Sequence, residues 1–162
     1  MAQLKPLPPL EELHNRFWYD PETGFLHHKH AKPGVFKDEF AGCKNKRGYI
    51  QVNINRKTYQ VHRIVWYMQT GEDPGVKGID HRNGLKHDNR FENLRVATSK
   101  QNNWNKPRKL GEQLPSGNYR VRIMDDGKLT HLGTYKTLQE ATDVYNAKAL
   151  ELRGEFAYQE WK

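Results

Sequence analysis

The stretch IDHRNGLKHDNRFENLR, residues 79–95, holds three carboxylates, two imidazoles and three asparagine amides, with only four aliphatic or aromatic side chains. Hydrolysis of a phosphodiester needs an activated water and something to absorb charge on the leaving oxygen. A histidine with an ordinary pKa of about 6.5 can take the proton. A hard divalent ion can stabilise the transition state, and Mg²⁺ keeps several waters, so one carboxylate and one amide oxygen suffice from the protein. Asp80, His81 and an asparagine supply these parts. Neighbours on a strand point to opposite faces, so Asp80 and His81 need a bent backbone to serve one site. Gly84 permits irregular geometry just beyond. Taken singly, Asp80, Asn89 and Asn93 are ordinary turn residues; their joint spacing favours a site.

Elements must position these groups. Residues 1–9 read as an arm and PLEELHNRFWY as a short helix, with Pro9 near its first turn and Leu10, Leu13 and Phe17 on one face. DPETG is a turn by composition, and FLHHKH a short strand. Ile50, Val52 and Ile54 alternate with polar residues, Asn55 and Arg56 turn the chain, and Thr58–Val61 returns as a hairpin. VHRIVWYMQTG is helical, with Val61, Ile64, Val65 and Met68 at helical spacing and Gly71 as the stop. Thr98 and Gln101 match a capping box for a short helix that Pro107 ends. Residues 110–135 carry two or three strands, with DDG at 125–127 as a hairpin turn. The last helix presents a stripe of Leu138, Ala141, Tyr145 and Leu152, and Gly154 stands at its end.

The 162 residues carry a net charge of +8, which makes nucleic acid the leading partner. Residues 1–105 hold +6 of it, the short KPRK run at 106–109 holds +3, and residues 110–162 hold −1. One cysteine, Cys43, excludes a disulfide scaffold and a cysteine-rich structural zinc site. No apolar run approaches membrane-spanning length and the N-terminus lacks a signal-peptide core, so the expectation is a cytoplasmic protein with no membrane partner. His27, His28 and His30 look like a metal cluster, but strand alternation splits the first from the second and third. His62 reads as structural or DNA-contacting. Arg82 and His87 lie in the loop within reach of phosphate, and Arg90 and Arg95 read as ion-pair partners or phosphate contacts.

The residues IDHRNGLKHDNRFENLRVATSKQNNWN, with VHRIVW and GYIQVNI upstream, resemble HNH nucleases of the ββα-metal type, in the subgroup common among phage homing endonucleases. The resemblance covers about residues 17–105. It implies that Asp80 and Asn102 hold one divalent ion, Mg²⁺ or Mn²⁺, one per active site. It implies that His81 is the general base. Asn93 would be the middle asparagine, bonding backbone across the loop and fixing the His81 ring. The last motif position is Asn102 rather than histidine, which suits hard cations. The cysteine pairs that staple many such domains with zinc are absent, so no structural zinc is expected.

Residues 110–157 are similar to the plant ethylene-response-factor DNA-binding domain, carried by YRVRI, HLGTY, Glu140–Ala141, Tyr145 and LRGEFA. That resemblance implies a three-stranded antiparallel sheet packed on one helix, with the sheet in the DNA major groove. Strand alternation puts Arg120 and Arg122 on one face and Tyr119, Val121 and Ile123 on the other. Arg120, Arg122 and His131 then face DNA, with Lys106, Arg108, Lys109 and Arg82 as further contacts.

The sequence thus points to an α+β protein. A ββα-metal nuclease module with N-terminal β-hairpins (1–105) precedes a basic linker (106–109) and an ethylene-response-factor-like DNA-binding domain (110–162). The function it implies is a metal-dependent DNA endonuclease of homing type, acting on double-stranded DNA as a monomer or weak dimer, in the host cytoplasm if phage-encoded. The alternative is a noncatalytic, sequence-specific DNA-binding regulator.

Overall fold

A computed structural model of the protein describes residues 5–31, 33–75, 77–107 and 111–158. Its contacts gather into two compact units, Met1–Ser99 and Lys100–Lys162. The first contains α1 (Leu10–Arg16), β1 (Phe17–Tyr19), β2 (Leu26–His28), β3 (Cys43–Lys44), β4 (Ile50–Ile54), β5 (Lys57–Gln60), α2 (Val61–Thr70), β6 (Gly78–His81), a 3₁₀ turn (Phe91–Asn93) and β7 (Leu94–Ala97). Then follow α3 (Ser99–Trp104), β8 (Glu112–Gln113), β9 (Tyr119–Asp125), β10 (Lys128–Tyr135), α4 (Leu138–Arg153) and a 3₁₀ turn (Gly154–Phe156). Among the described residues no helix is long and apolar enough to cross a membrane.

In the first unit, β3, β4 and β5 form an antiparallel sheet. Ile50, Val52 and Ile54 of β4 are buried on one face, as their alternation dictates. The β4–β5 turn is made by Asn55 and Arg56, both left-handed, with φ of 50° and 62°; this is the backbone a two-residue hairpin loop needs to match strand twist. Asn55 also anchors the turn to α1, accepting from Arg16 Nη2 (2.8 Å) and donating to Glu12 Oε1 (3.0 Å). Val61, Ile64, Val65 and Met68 of α2 are buried, with Leu13, Phe17 and Leu26 in the same core. Each such side chain, fully buried, contributes roughly 1.5–3 kcal/mol.

The sequence reading carried the first helix through Tyr19. The helix instead stops at Arg16, and Phe17–Tyr19 is a strand paired antiparallel with β2, Trp18 opposite His27. Three consecutive aromatics gain cross-strand partners that a helix end cannot offer. The Trp18 and His27 rings stack at 4.3 Å with planes 14° apart. His27 is therefore occupied as a stacking partner, and its Nδ1 lies 2.9 Å from the Asp38 carbonyl.

The second unit has an antiparallel sheet in the order β10–β9–β8, and α4 packs on it. Asp126 and Gly127 make the tight β9–β10 turn, with φ of 43° and 81°. Val121 and Ile123 are buried while Met124 is exposed. A capping box opens α4: Thr137 Oγ1 accepts from Glu140 N (3.2 Å) and Thr137 N donates to Glu140 Oε2 (3.1 Å). The stripe on α4 differs from the expected one. Its buried line is Ala141, Tyr145, Ala149 and Arg153, at four-residue spacing, while Leu138 is 48% exposed. The two alanines let the helix approach the sheet, and Leu138 in the first turn lies off that line.

Arg153 is buried by pairing rather than by lack of charge. It donates to Tyr145 Oη (3.1 Å) and the Met124 carbonyl (3.2 Å), and its guanidinium lies over the Trp104 ring at 5.4 Å. Lys100, near the other end of α3, pairs with Asp126 in the β9–β10 turn.

Gly24 is the most closely confined glycine among the described residues of the first unit. Its φ is +76°, and a Cβ there would sit 2.4 Å from Arg90 N and 2.7 Å from the Asn89 carbonyl carbon. Gly24→Ala is expected to cost about 2–4 kcal/mol through the left-handed backbone and the clash. Chemical denaturation measures this; an unchanged midpoint would contradict the packing described.

Candidate active site

The β6–β7 hairpin and its connecting loop build the site. Its register places Asp80 opposite Arg95 and His81 opposite Leu94. Asp80 is 4% exposed and Arg95 6%. Arg95 Nε and Nη2 both donate to Asp80 Oδ2, at 2.9 and 2.7 Å. A buried carboxylate would cost several kcal/mol without such a partner, and removing Arg95 alone would strand it.

His81, at the end of β6, is also buried. Its Nε2 lies 3.1 Å from Asn89 Oδ1. An amide oxygen only accepts, so in this bond the ring nitrogen is the donor. Burial is the main cause holding its pKa below the ordinary histidine value; the bond to Asn89 and the Asp80 charge oppose it. The neutral ring is the form that can accept a proton.

The loop between the strands is closed by Asn93. Its Oδ1 accepts from Asn83 N (3.0 Å), its Nδ2 donates to the Asp88 carbonyl (2.8 Å), and its own carbonyl accepts from Arg82 N (2.8 Å). These are backbone bonds across the loop; the bond to the His81 ring is made by Asn89, which the sequence reading left among the turn residues. Asp88 accepts from Arg90 Nε (2.9 Å) and Nη2 (2.7 Å) and from Asn83 Nδ2 (2.8 Å). The Arg90 bonds are the chief reason its pKa falls to about 2.

Elements far back in the chain brace this loop. Tyr19 Oη accepts from Phe91 N (2.8 Å) and donates to the Asn89 carbonyl (3.3 Å). The residue 20–24 turn, knotted by Asp20, puts Gly24 against the Asn89–Arg90 backbone. The position of Asn89, and through it of the His81 ring, is thus set by β1 and the turn after it.

Two aromatic neighbours stand beside His81. The His62 ring meets it edge-on at 5.1 Å, and Tyr49 lies 5.9 Å from it. His62 is buried with Nδ1 unpaired, and burial pushes its pKa down to about 3. It is a packing residue of the site, placed there by the first turn of α2. Nothing in the sequence distinguished it from a surface histidine except its position in the apolar run VHRIVW.

The other predicted residues are distributed as follows. Arg82 is half-buried at the start of the loop. Asn102 lies on α3, and Lys106 is exposed just after it, donating to Asn103 Oδ1 (2.6 Å). Arg108 and Lys109 lie outside the described residues. Arg120 and Arg122 lie along β9, and His131, cross-strand from Arg122, is exposed on β10. The sequence did not anticipate that Glu112 of β8 takes bonds from both arginines, at 2.8 Å from Arg120 Nη2 and 2.7 Å from Arg122 Nη2.

The donor chemistry constrains any metal. Among the described residues no group of three or more His, Cys, Asp or Glu side chains could hold one. A lone buried carboxylate with amide oxygens suits a hard, water-rich cation and not a soft one.

Residues 59–104, which span the site from β5 to α3, match the family model described as HNH endonuclease. Over 117 residues the chain is 32% identical to an uncharacterized HNH endonuclease of Acanthamoeba polyphaga mimivirus, across 69% of this chain and 62% of that protein. The chain therefore spans somewhat less than two thirds of that relative's length. No solved structure matches it.

Because His62 stays neutral when folded but titrates near 6.5 when unfolded, the unfolded chain binds more protons below that pH. Its contribution is present above about pH 6.5 and lost as pH falls toward 3, by up to about 1.4 kcal/mol per pH unit. Denaturation curves from pH 7 to 4 should show this slope, and His62→Phe should reduce it; equal slopes would contradict a neutral buried ring.

Proposed function

We propose that the protein is a divalent-metal-dependent DNA endonuclease of homing type, whose C-terminal unit binds duplex DNA beside the cleavage site. The observation that carries this reading is His81: a buried, neutral imidazole, held through Nε2 by Asn89 and adjacent to a charge-paired Asp80, within the segment that matches the HNH endonuclease family model.

In the reaction, His81 accepts the proton of the attacking water. Asn89 holds the ring in one orientation, and Asn93 keeps the loop closed behind it. Arg95 holds the Asp80 carboxylate through Oδ2. Asp80 and Asn102 would hold one Mg²⁺ or Mn²⁺, which when bound supplies charge stabilisation at the leaving oxygen. Burial around His81 and Asp80 strengthens each of these interactions relative to water.

Duplex DNA as the partner of the C-terminal unit is supported by the exposed face on which Arg120, Arg122 and His131 stand. Glu112 neutralises part of that face until phosphate or a guanine edge replaces it. Homing type is supported by the viral relative and by the pairing of a cutting module with a second unit.

His81→Ala is expected to abolish nicking of a supercoiled target plasmid in Mg²⁺ while leaving DNA binding within about twofold. Wild-type nicking should stop in EDTA. Metal-independent cutting, or normal single-turnover cutting by the variant, would overturn the assignment; no cutting at all on target DNA would favour a binding regulator. Arg120→Ala with Arg122→Ala should weaken duplex binding at least tenfold while cutting survives at high DNA concentration, as titration by fluorescence anisotropy would report.

A further inference from the structure

The turn between β3 and β4 carries Lys44, Asn45, Lys46, Arg47 and Gly48. Its three cations are exposed. Four arginines elsewhere in the first unit are matched with acids: Arg16 with Glu12, Arg63 with Asp73, Arg90 with Asp88, Arg95 with Asp80. Among the described residues, none of Lys44, Lys46 and Arg47 has a carboxylate within ion-pair distance. Like charges this close in sequence repel, so a solvated surface gains nothing from holding them together.

The turn is nonetheless held in one shape. Asn45 Oδ1 accepts from Arg47 N (2.9 Å) and Tyr49 N (3.1 Å), Asn45 N donates to the Tyr49 carbonyl (2.8 Å), and Gly48 N donates to the Asn45 carbonyl (2.9 Å). Gly48 takes a φ of 90° that this closure requires. A fourth cation joins from the loop after β6: Lys86 Nζ donates to the Arg47 carbonyl (3.1 Å) and lies 5.2 Å over the Tyr49 ring. Tyr49 in turn packs against His62 at 5.4 Å and His81 at 5.9 Å. The cationic turn is therefore separated from the proton-accepting ring by one aromatic side chain.

We propose that Lys44, Lys46, Arg47 and Lys86 form a ridge that binds the phosphate backbone of duplex DNA next to the bond cleaved by the water that His81 deprotonates. The choice of DNA rests on the endonuclease reading above. The ridge is rigid and charged but carries no side chain suited to reading base edges, so it holds DNA without regard to sequence. Each phosphate neutralised releases condensed counterions, which makes the contribution of the ridge visible as salt dependence.

The test uses the full-length protein with Lys44→Gln, Lys46→Gln and Arg47→Gln combined, and a 30-base-pair duplex of arbitrary sequence as probe. The slope of log affinity against log salt is expected to shrink by about 2–3, and the dissociation constant at moderate salt to rise at least tenfold. The rate of single-turnover plasmid nicking at saturating DNA should stay within about threefold. The charge-preserving set Lys44→Arg, Lys46→Arg and Arg47→Lys should restore the slope, which separates lost charge from lost folding. An unchanged slope in the glutamine variant, or a slope that the charge-preserving set fails to restore, overturns the ridge. Duplex RNA displacing the probe as well as duplex DNA does would overturn the choice of DNA. If the wild-type protein binds but never nicks, the endonuclease reading falls while the salt slopes still decide whether the ridge binds DNA.

Discussion

The buried ion pair between Asp80 and Arg95 sets the terms for the rest of the first unit. Two charges removed from water are tolerable only if they meet with good geometry, and here the antiparallel register of β6 and β7 delivers them opposite each other. A slip of one residue would face Arg95 with Ile79 or His81 and leave a carboxylate stranded in the core. The pair therefore fixes the register, and the register fixes which residues of the connecting loop can reach the His81 ring.

That loop is stabilised from both sides by different means. Inside, Asn93 replaces water for backbone groups of the loop. Outside, Tyr19 and the Gly24 turn press on the Asn89–Arg90 backbone. The N-terminal strands are thus part of the machinery that orients an imidazole some sixty residues further along the chain. Their contribution is geometric: Tyr19 and Gly24 meet the backbone of the residue whose amide bonds the histidine.

Much of this was legible in the sequence, and what escaped has identifiable causes. Alternation along β4 and the four apolar positions of α2 announced themselves because one face of each is dry. The Asn55–Arg56 turn was readable from its place between two such runs. Asn89 and Asn93 could not be told apart by type, since both are asparagines in a polar loop; only the closed loop shows that one bonds backbone and the other the ring. Phe17–Tyr19 was misread because aromatic residues fit a helical face as well as a strand until a pairing partner is known. Leu138 was misassigned because apolar type was weighed over position, whereas Arg153 is buried by virtue of its partners. Glu112 was unremarkable until the sheet brought it beside two arginines.

The way α3 is held has a practical meaning for anyone trimming the chain. Its lysine and its tryptophan find their partners, Asp126 and Arg153, well beyond residue 105. A fragment ending there would look complete by motif, yet its last helix has only six residues, too short to persist on its own in water. Shortened versions of this protein should therefore keep the sheet and α4 if the helix is to remain folded.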